Sequence, residues 1–304
     1  MKKFIVTALQ GFCMALADSV PGVSGGTVAF ILGFYEKFIN SLNALVSKDS
    51  DKKGALKFLG KLGVGWAIGL ILASLVLSSV FETHIYAISS LFIGFILFAI
   101  PSIIKEEKDT LKGKYQYLIF TLIGIAVVAL LTFFNPTSGG GINVDINSLN
   151  IGICIYAFVV GMVAISAMIL PGISGSTILL IFGLYIPIIN SIKEVLHLQL
   201  EYLPILIVFG FGVLTGIALI IKLVKKALDK YRTQTIYTVI GLMIGSLYAI
   251  VMGPTTLKVP QEAMNFGTFN ILFFVIGAAV IGAMEFAKYK LSNKKTDVET
   301  TEEK

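Results

Sequence analysis

Charge is what this chain of 304 residues has least of: 14% of its side chains are Asp, Glu, Lys or Arg, against 56% that are hydrophobic. A soluble globular domain carries about a quarter charged residues, and the mean hydropathy here is +0.88. That shortage excludes an ordinary soluble enzyme, and it excludes reading the net charge of +6 as a nucleic-acid surface. Arginine is almost missing, Arg232 being the only one. His84 and His197, the two histidines, stand outside the apolar runs without the ligand spacing of a metal site. The two cysteines, Cys13 and Cys154, each lie inside an apolar run, where a free thiol behaves as a small hydrophobe. No disulfide framework is expected.

What the chain does have is hydrophobic length. At about 20 residues per crossing, uncharged stretches predict transmembrane helices over 62–81, 85–104, 115–134, 202–221, 234–253 and 266–284. Two further apolar regions, 4–46 and 151–192, are each interrupted midway by Pro and a cluster of Gly and Ser. Lys2, Lys3, an apolar run and Ala15-Leu16-Ala17 imitate a secretory signal peptide. A similar run followed by the same motif recurs at 151–176, where cleavage is impossible, so residues 1–17 are read as structure.

The recurrence is an internal repeat at an offset of 150 residues. Pro21-Gly22-Val23-Ser24-Gly25-Gly26-Thr27 matches Pro171-Gly172-Ile173-Ser174-Gly175-Ser176-Thr177, and 11 of 21 positions from 21 to 41 are identical to 171 to 191. Gly33 pairs with Gly183, Tyr35 with Tyr185, and Asn40-Ser41 with Asn190-Ser191. The basic residues set the topology. If both interrupted segments are re-entrant hairpins, 21 Lys and Arg lie inside against two outside, Lys193 and Lys258, with Lys37 in a hairpin arm; if both cross, the split is 12 to 11. The positive-inside rule favours hairpins.

The expected fold is an all-α polytopic membrane protein of two inverted-topology repeats, each a re-entrant helical hairpin plus three transmembrane helices. Repeat 1 covers 1–134, an extracellular connector 135–150, repeat 2 151–287, and a charged cytoplasmic tail 288–304; the whole chain is one transport domain. Both termini are expected in the cytoplasm. Inverted repeats with broken helices meeting near the bilayer midplane are a transporter architecture.

Broken backbone at membrane depth is tolerated only where protein or a wet cavity satisfies it. Pro21-Gly22 and Pro171-Gly172 make the turns. The amides of Ser24, Gly25, Gly26 and Thr27, and of Ser174, Gly175, Ser176 and Thr177, would sit at helix N-termini, which attract phosphate or carboxylate. The plainer alternative is a tight turn whose hydroxyls only cap helices. Asp18, whose counterpart is the apolar Met168, is an intramembrane carboxylate costing on the order of 3 kcal/mol; it is a candidate proton acceptor, cation ligand or gate. Glu36 and Lys37 read as an interfacial snorkelling pair, with Lys37 a candidate cytoplasmic-side contact for an incoming phosphate. Glycines 63, 65, 69, 94, 124, 210, 212, 216, 241, 245, 277 and 282 read as close helix contacts, and Trp66 as packing or interfacial anchoring.

The block Ala17-Asp18-Ser19-Val20-Pro21-Gly22-Val23-Ser24-Gly25-Gly26-Thr27 with Gly33 and Tyr35, and the block Leu170-Pro171-Gly172-Ile173-Ser174-Gly175-Ser176 with Gly183 and Tyr185, resemble family 368 of the domains of unknown function. The resemblance covers residues 1 to 290. It implies a bacterial undecaprenyl-phosphate translocase of the plasma membrane, which returns the lipid carrier from the outer to the inner leaflet for reuse in cell-wall polymer synthesis. No catalytic residue, metal or cofactor is implied; coupling to protons or sodium would be a role for Asp18. Two rivals stand beside this reading. Undecaprenyl-diphosphate phosphatases also place Pro-Gly-x-Ser tips in inverted repeats, but their motif continues with Arg where this chain has Gly25 and Gly175, leaving no cation for a phosphoryl transition state. A permease for a small water-soluble anion would use the same cradle.

Overall fold

The computed structural model describes residues 2–19, 23–47, 50–73, 78–134, 151–257, 259–283 and 286. Pro21 and Gly22, the connector 135–150 and the tail 288–304 lie outside the described residues. The helices are α1 (Lys2–Asp18), α2 (Gly25–Ile31), α3 (Tyr35–Val46), α4 (Lys52–Leu72), α5 (Ser78–Glu106), α6 (Lys108–Leu111), α7 (Leu118–Phe133), α8 (Ile151–Ile169), α9 (Gly175–Ile181), α10 (Tyr185–Leu196), α11 (Leu203–Lys230), α12 (Arg232–Met252) and α13 (Ile271–Ala283). Six of them, α4, α5, α7, α8, α11 and α12, are long and apolar enough to cross a membrane.

The boundaries differ from those expected from charge alone: the span expected at 62–81 ends as α4 at Leu72, and α5 begins at Ser78 rather than 85. The span expected at 62–81 starts at Lys52, because Asp51 caps the helix by accepting from the Gly54 amide at 2.8 Å. Lys52, Lys53 and Lys57 ride on its exposed side, so the lysines do not end the helix. For the same reason α11 runs on to Lys230 rather than stopping at 221. In the opposite sense α13 begins at Ile271, not 266: Asn265 turns the chain by accepting from the Gly267 and Thr268 amides, and the Asn270 side chain then caps Phe273 at 3.1 Å.

Each interrupted segment has a second break that the sequence reading did not place. After the tip, α2 and α9 last seven residues each and end at Gly33 (φ +70°) and Gly183 (φ +66°). Both glycines take the left-handed conformation that side chains resist. Phe34 and Leu184 then donate back to the carbonyls of Ala29 and Leu179 before α3 and α10 begin. The matched pair Gly33 and Gly183 in the repeat therefore marks a bend.

Glycines at matching positions pack α1 on α4 and α8 on α11. In the first half Gly11 lies against Leu62, Gly65 against Ala8 and Gly69 against Phe12, which lays α1 along α4. In the second, Gly161 lies against Phe209, Gly212 against Phe158 and Gly216 against Met162, laying α8 along α11. A Cβ at Gly69 or at Gly161 would come 2.8 Å from the neighbouring carbonyl oxygen, so the helices touch backbone to backbone. The remaining spans exchange partners. Gly124 of α7 meets Thr238 and Leu242 of α12, while Gly277 of α13 meets Leu91 and Phe95 of α5. The second span of each half thus packs on the third span of the other. Gly63, Gly210 and Gly282 correct the expectation for their positions: among the described residues nothing lies within 4 Å of where their Cβ would be. The largest buried cluster, with Ile96, Ile240 and Met243 at its centre, spans both halves.

Candidate functional site

Both tips are built from short polar residues where the first helix of each segment ends. Ser24 caps α2 in extended conformation, its Oγ accepting from the Gly26 amide at 3.1 Å. The same hydroxyl donates toward the carbonyls of Leu170, at 3.3 Å, and Met168, at 3.4 Å, which end α8 in the other half. In return the Gly172 amide donates to Thr27 Oγ1 at 2.7 Å, joining residues 145 apart in the chain. The tips therefore meet and bond to each other. Gly26 permits it, since a Cβ there would stand 2.8 Å from the Ile169 carbonyl. Gly172 adopts φ +86° with its backbone against Leu242 of α12. The junction is closed: Ser24 is 0% exposed, Thr27 2% and Ser174 7%.

The two tips differ in how their amides are satisfied. At the first, Gly25 donates to Asp18 Oδ1 at 2.7 Å, Gly26 to Ser24 Oγ, and Thr27 to the Ser24 carbonyl at 3.0 Å. The expected free amides are thus taken, and the acceptor at the start of α2 is the protein's own carboxylate, the anion that a helix N-terminus favours. At the second tip Met168 stands in place of Asp18, and Ser174 caps nothing through its side chain. Its hydroxyl instead pairs with that of Ser176 at 2.8 Å. Gly175, like Gly25, is closely packed, with the Ala164 carbonyl 3.1 Å from where its Cβ would be. Thr177 is half-buried on α9.

Trp66 completes the first site, and the sequence reading missed it. Its Nε1 donates to Asp18 Oδ2 at 3.3 Å from α4. The repeat held the signal: with Gly65 matched to Gly212, the counterpart of Trp66 is Val213, so the second half lacks both partners of this bond together. Glu36 and Lys37 do not pair with each other. Lys37 Nζ lies 4.5 Å from the centre of the Phe58 ring on α4, a cation–π contact. Glu36 binds Arg232 Nη1 at 2.8 Å. Arg232 is the first residue of α12, with only Tyr231 between it and the end of α11.

Six helices fit to cross a bilayer, and two broken segments meeting tip to tip between paired halves, define a multi-pass membrane protein with a polar centre. Residues 14–267 match the family described as undecaprenyl phosphate translocase-like, and the chain belongs to that family. It is 33% identical over 276 residues to a polyprenyl-phosphate transporter of Staphylococcus aureus, covering 90% of this chain and 94% of the relative. It is 31% identical over 255 residues to a polyprenyl-phosphate transporter of Vibrio cholerae, covering 80% of this chain and 76% of that one. No solved structure matches the chain. Family and relatives alike are named for transport, so the protein is a transporter and not an enzyme.

Proposed function

We propose that this protein carries undecaprenyl phosphate from the outer to the inner leaflet of the bacterial plasma membrane, with the phosphate passing between the two tips and the prenyl tail left in lipid. The observation that carries this reading is the tip junction itself: a buried set of hydroxyls and amides, bonded across the two halves, where both interrupted segments break. A charged phosphate does not cross hydrocarbon unaided, and an interior-negative potential opposes its inward movement by about 2.3 kcal/mol per charge per 100 mV. The tips supply donors suited to that headgroup: Ser24, Gly25, Gly26 and Thr27 on one side, Ser174, Gly175, Ser176 and Thr177 on the other, with Pro171 and Gly172 shaping the second turn. The headgroup enters by breaking the bonds that join the tips, and the two halves act as inverted repeats that expose the junction to one face at a time.

Asp18 sets the coupling in this reading. Its carboxylate occupies the first tip at rest, and a proton or sodium ion that neutralises it lets phosphate take its place. Lys37, near the cytoplasmic surface, meets the departing headgroup. The N-terminus and the C-terminal tail lie in the cytoplasm.

The test is reconstitution in liposomes with a labelled prenyl phosphate, comparing the wild type with Asp18→Asn under imposed proton and sodium gradients. Movement by the wild type that responds to one gradient, and loses that response in Asp18→Asn, is the expected result. No movement of the lipid together with uptake of inorganic phosphate would replace this reading with a small-anion permease. Equal movement by both proteins under all gradients removes Asp18 from the coupling.

A further inference from the structure

Charge distinguishes the second arms of the two broken segments. Where α3 carries Glu36 and Lys37, the matching positions of α10 are Ile186 and Pro187. The second copy folds through the same Gly bend without either charge, so the bend does not require them.

Glu36 is used to reach the other half. Arg232, the chain's only arginine, places Nη1 2.8 Å from Glu36 Oε1. Its Nε donates to Glu107 Oε2 at 3.1 Å, and its Nη2 donates to Glu107 Oε1, a two-point fork of the kind guanidinium makes with carboxylate. One turn along α3, Asn40 Oδ1 accepts from Lys225 Nζ of α11 at 2.9 Å. Beneath these polar contacts Phe34, Tyr35 and Ile39 share a buried cluster with Ile221, Val224 and Leu228 of α11. The end of the first broken segment is thus fastened to the second half by an apolar face with a polar rim. An arginine in the first turn of α12 works against that helix's dipole, and the two glutamates offset it.

We propose that Arg232 is a positioning residue for transport: with Glu36 and Glu107 it forms an ion-pair latch that holds α3 on the second half, closes the first tip, and opens in each cycle to uncover it. The latch rests on the transport reading above for its purpose, but it is measurable without substrate. Neutralising one partner frees α3, and exposure of the face it covers rises. Arg232→Lys keeps the charge but loses the fork, which places it between wild type and Arg232→Gln.

The experiment uses the full chain in nanodiscs with Cys13 and Cys154 replaced by Ser. Ile39→Cys, at a position 0% exposed, is labelled with a hydrophilic maleimide. Glu36→Gln and Arg232→Gln each raise the labelling rate about two- to fivefold, the shift a partly exposed ion pair supports. Should Ile39→Cys fail to insert, Phe34→Cys, 5% exposed on the same helix, serves in its place. Equal rates in all backgrounds overturn the latch. In a second arm, Glu36→Cys with Arg232→Cys is bridged by a short thiol-specific reagent; prenyl-phosphate movement stops on bridging and returns on release. Undiminished movement by the bridged protein shows that α3 need not separate and overturns the proposal. Wild-type protein that moves no prenyl phosphate contradicts the transport reading instead, and the labelling rates still decide the latch.

Discussion

Thr27→Val tests the tip junction with the least disturbance. Valine keeps the shape of threonine and removes the Oγ1 that accepts from Gly172 at 2.7 Å. Thr27 is 2% exposed, so water does not replace the lost acceptor. A buried amide left unsatisfied costs about 1–3 kcal/mol. At roughly 2–3 °C per kcal/mol for a chain of this size, purified protein should unfold about 2–9 °C lower. Emission from Trp66, the only tryptophan, follows the transition without an added label. Thr177→Val is the matched control: the half-buried Thr177 hydroxyl bonds to no protein group among the described residues, so its loss should lower melting less than the loss of Thr27 Oγ1. Equal melting of Thr27→Val and wild type would refute the bond between the tips as a stabilising contact. Equal losses in both variants would point to threonine content alone.

Three further outcomes follow from the same geometry. Trp66→Phe removes the donor to Asp18 Oδ2; a hydrogen bond to a charged group contributes about 1.5–3 kcal/mol, so melting falls and the pH profile of transport moves, and an unchanged profile would separate Trp66 from Asp18. Gly26→Ala presses a Cβ to 2.8 Å from the Ile169 carbonyl and should cost about 1–3 kcal/mol, whereas Gly63→Ala, with open space, should gain up to about 1 kcal/mol from helix propensity; chemical or thermal unfolding reads both, and equal signs would contradict the assigned faces. Burial raises the pKa of Glu107, but its bonds to Arg232 and Thr110 outweigh this and hold the carboxyl below its ordinary value. A depressed carboxylate contributes stability that is present above its unfolded pKa and lost as pH falls through the folded one, so thermal stability should hold near neutrality and fall only below the ordinary carboxylate range, and Glu107→Gln should lack its share of that fall.

The membrane class and the duplicated tip motif were legible in the amino-acid order, because hydrophobic length and a repeated motif need no neighbours to be recognised. Pro21 to Thr27 matched against Pro171 to Thr177 marked both tips, and Gly33 with Gly183 held the signal for a bend whose place the folded chain revealed. Helix ends were read less well. Charge was taken as a stop signal near Lys52 and beyond 221, yet a side-chain cap and an exposed helix face let lysines continue a helix.

Contacts between distant residues lay beyond such reading, since each depends on which faces the packed helices bring together. The bond from Trp66 to Asp18 crosses from α4 to α1, and the Arg232 fork joins α12 to the end of α5 and to α3. Sequence by itself determined the residue types at the tips and their duplication, because those follow from local backbone chemistry. Only the tertiary structure decided that the tips satisfy each other and that Asp18 fills the first. A buried donor bonds to the acceptor nearest in space, and that neighbour is chosen by the whole fold.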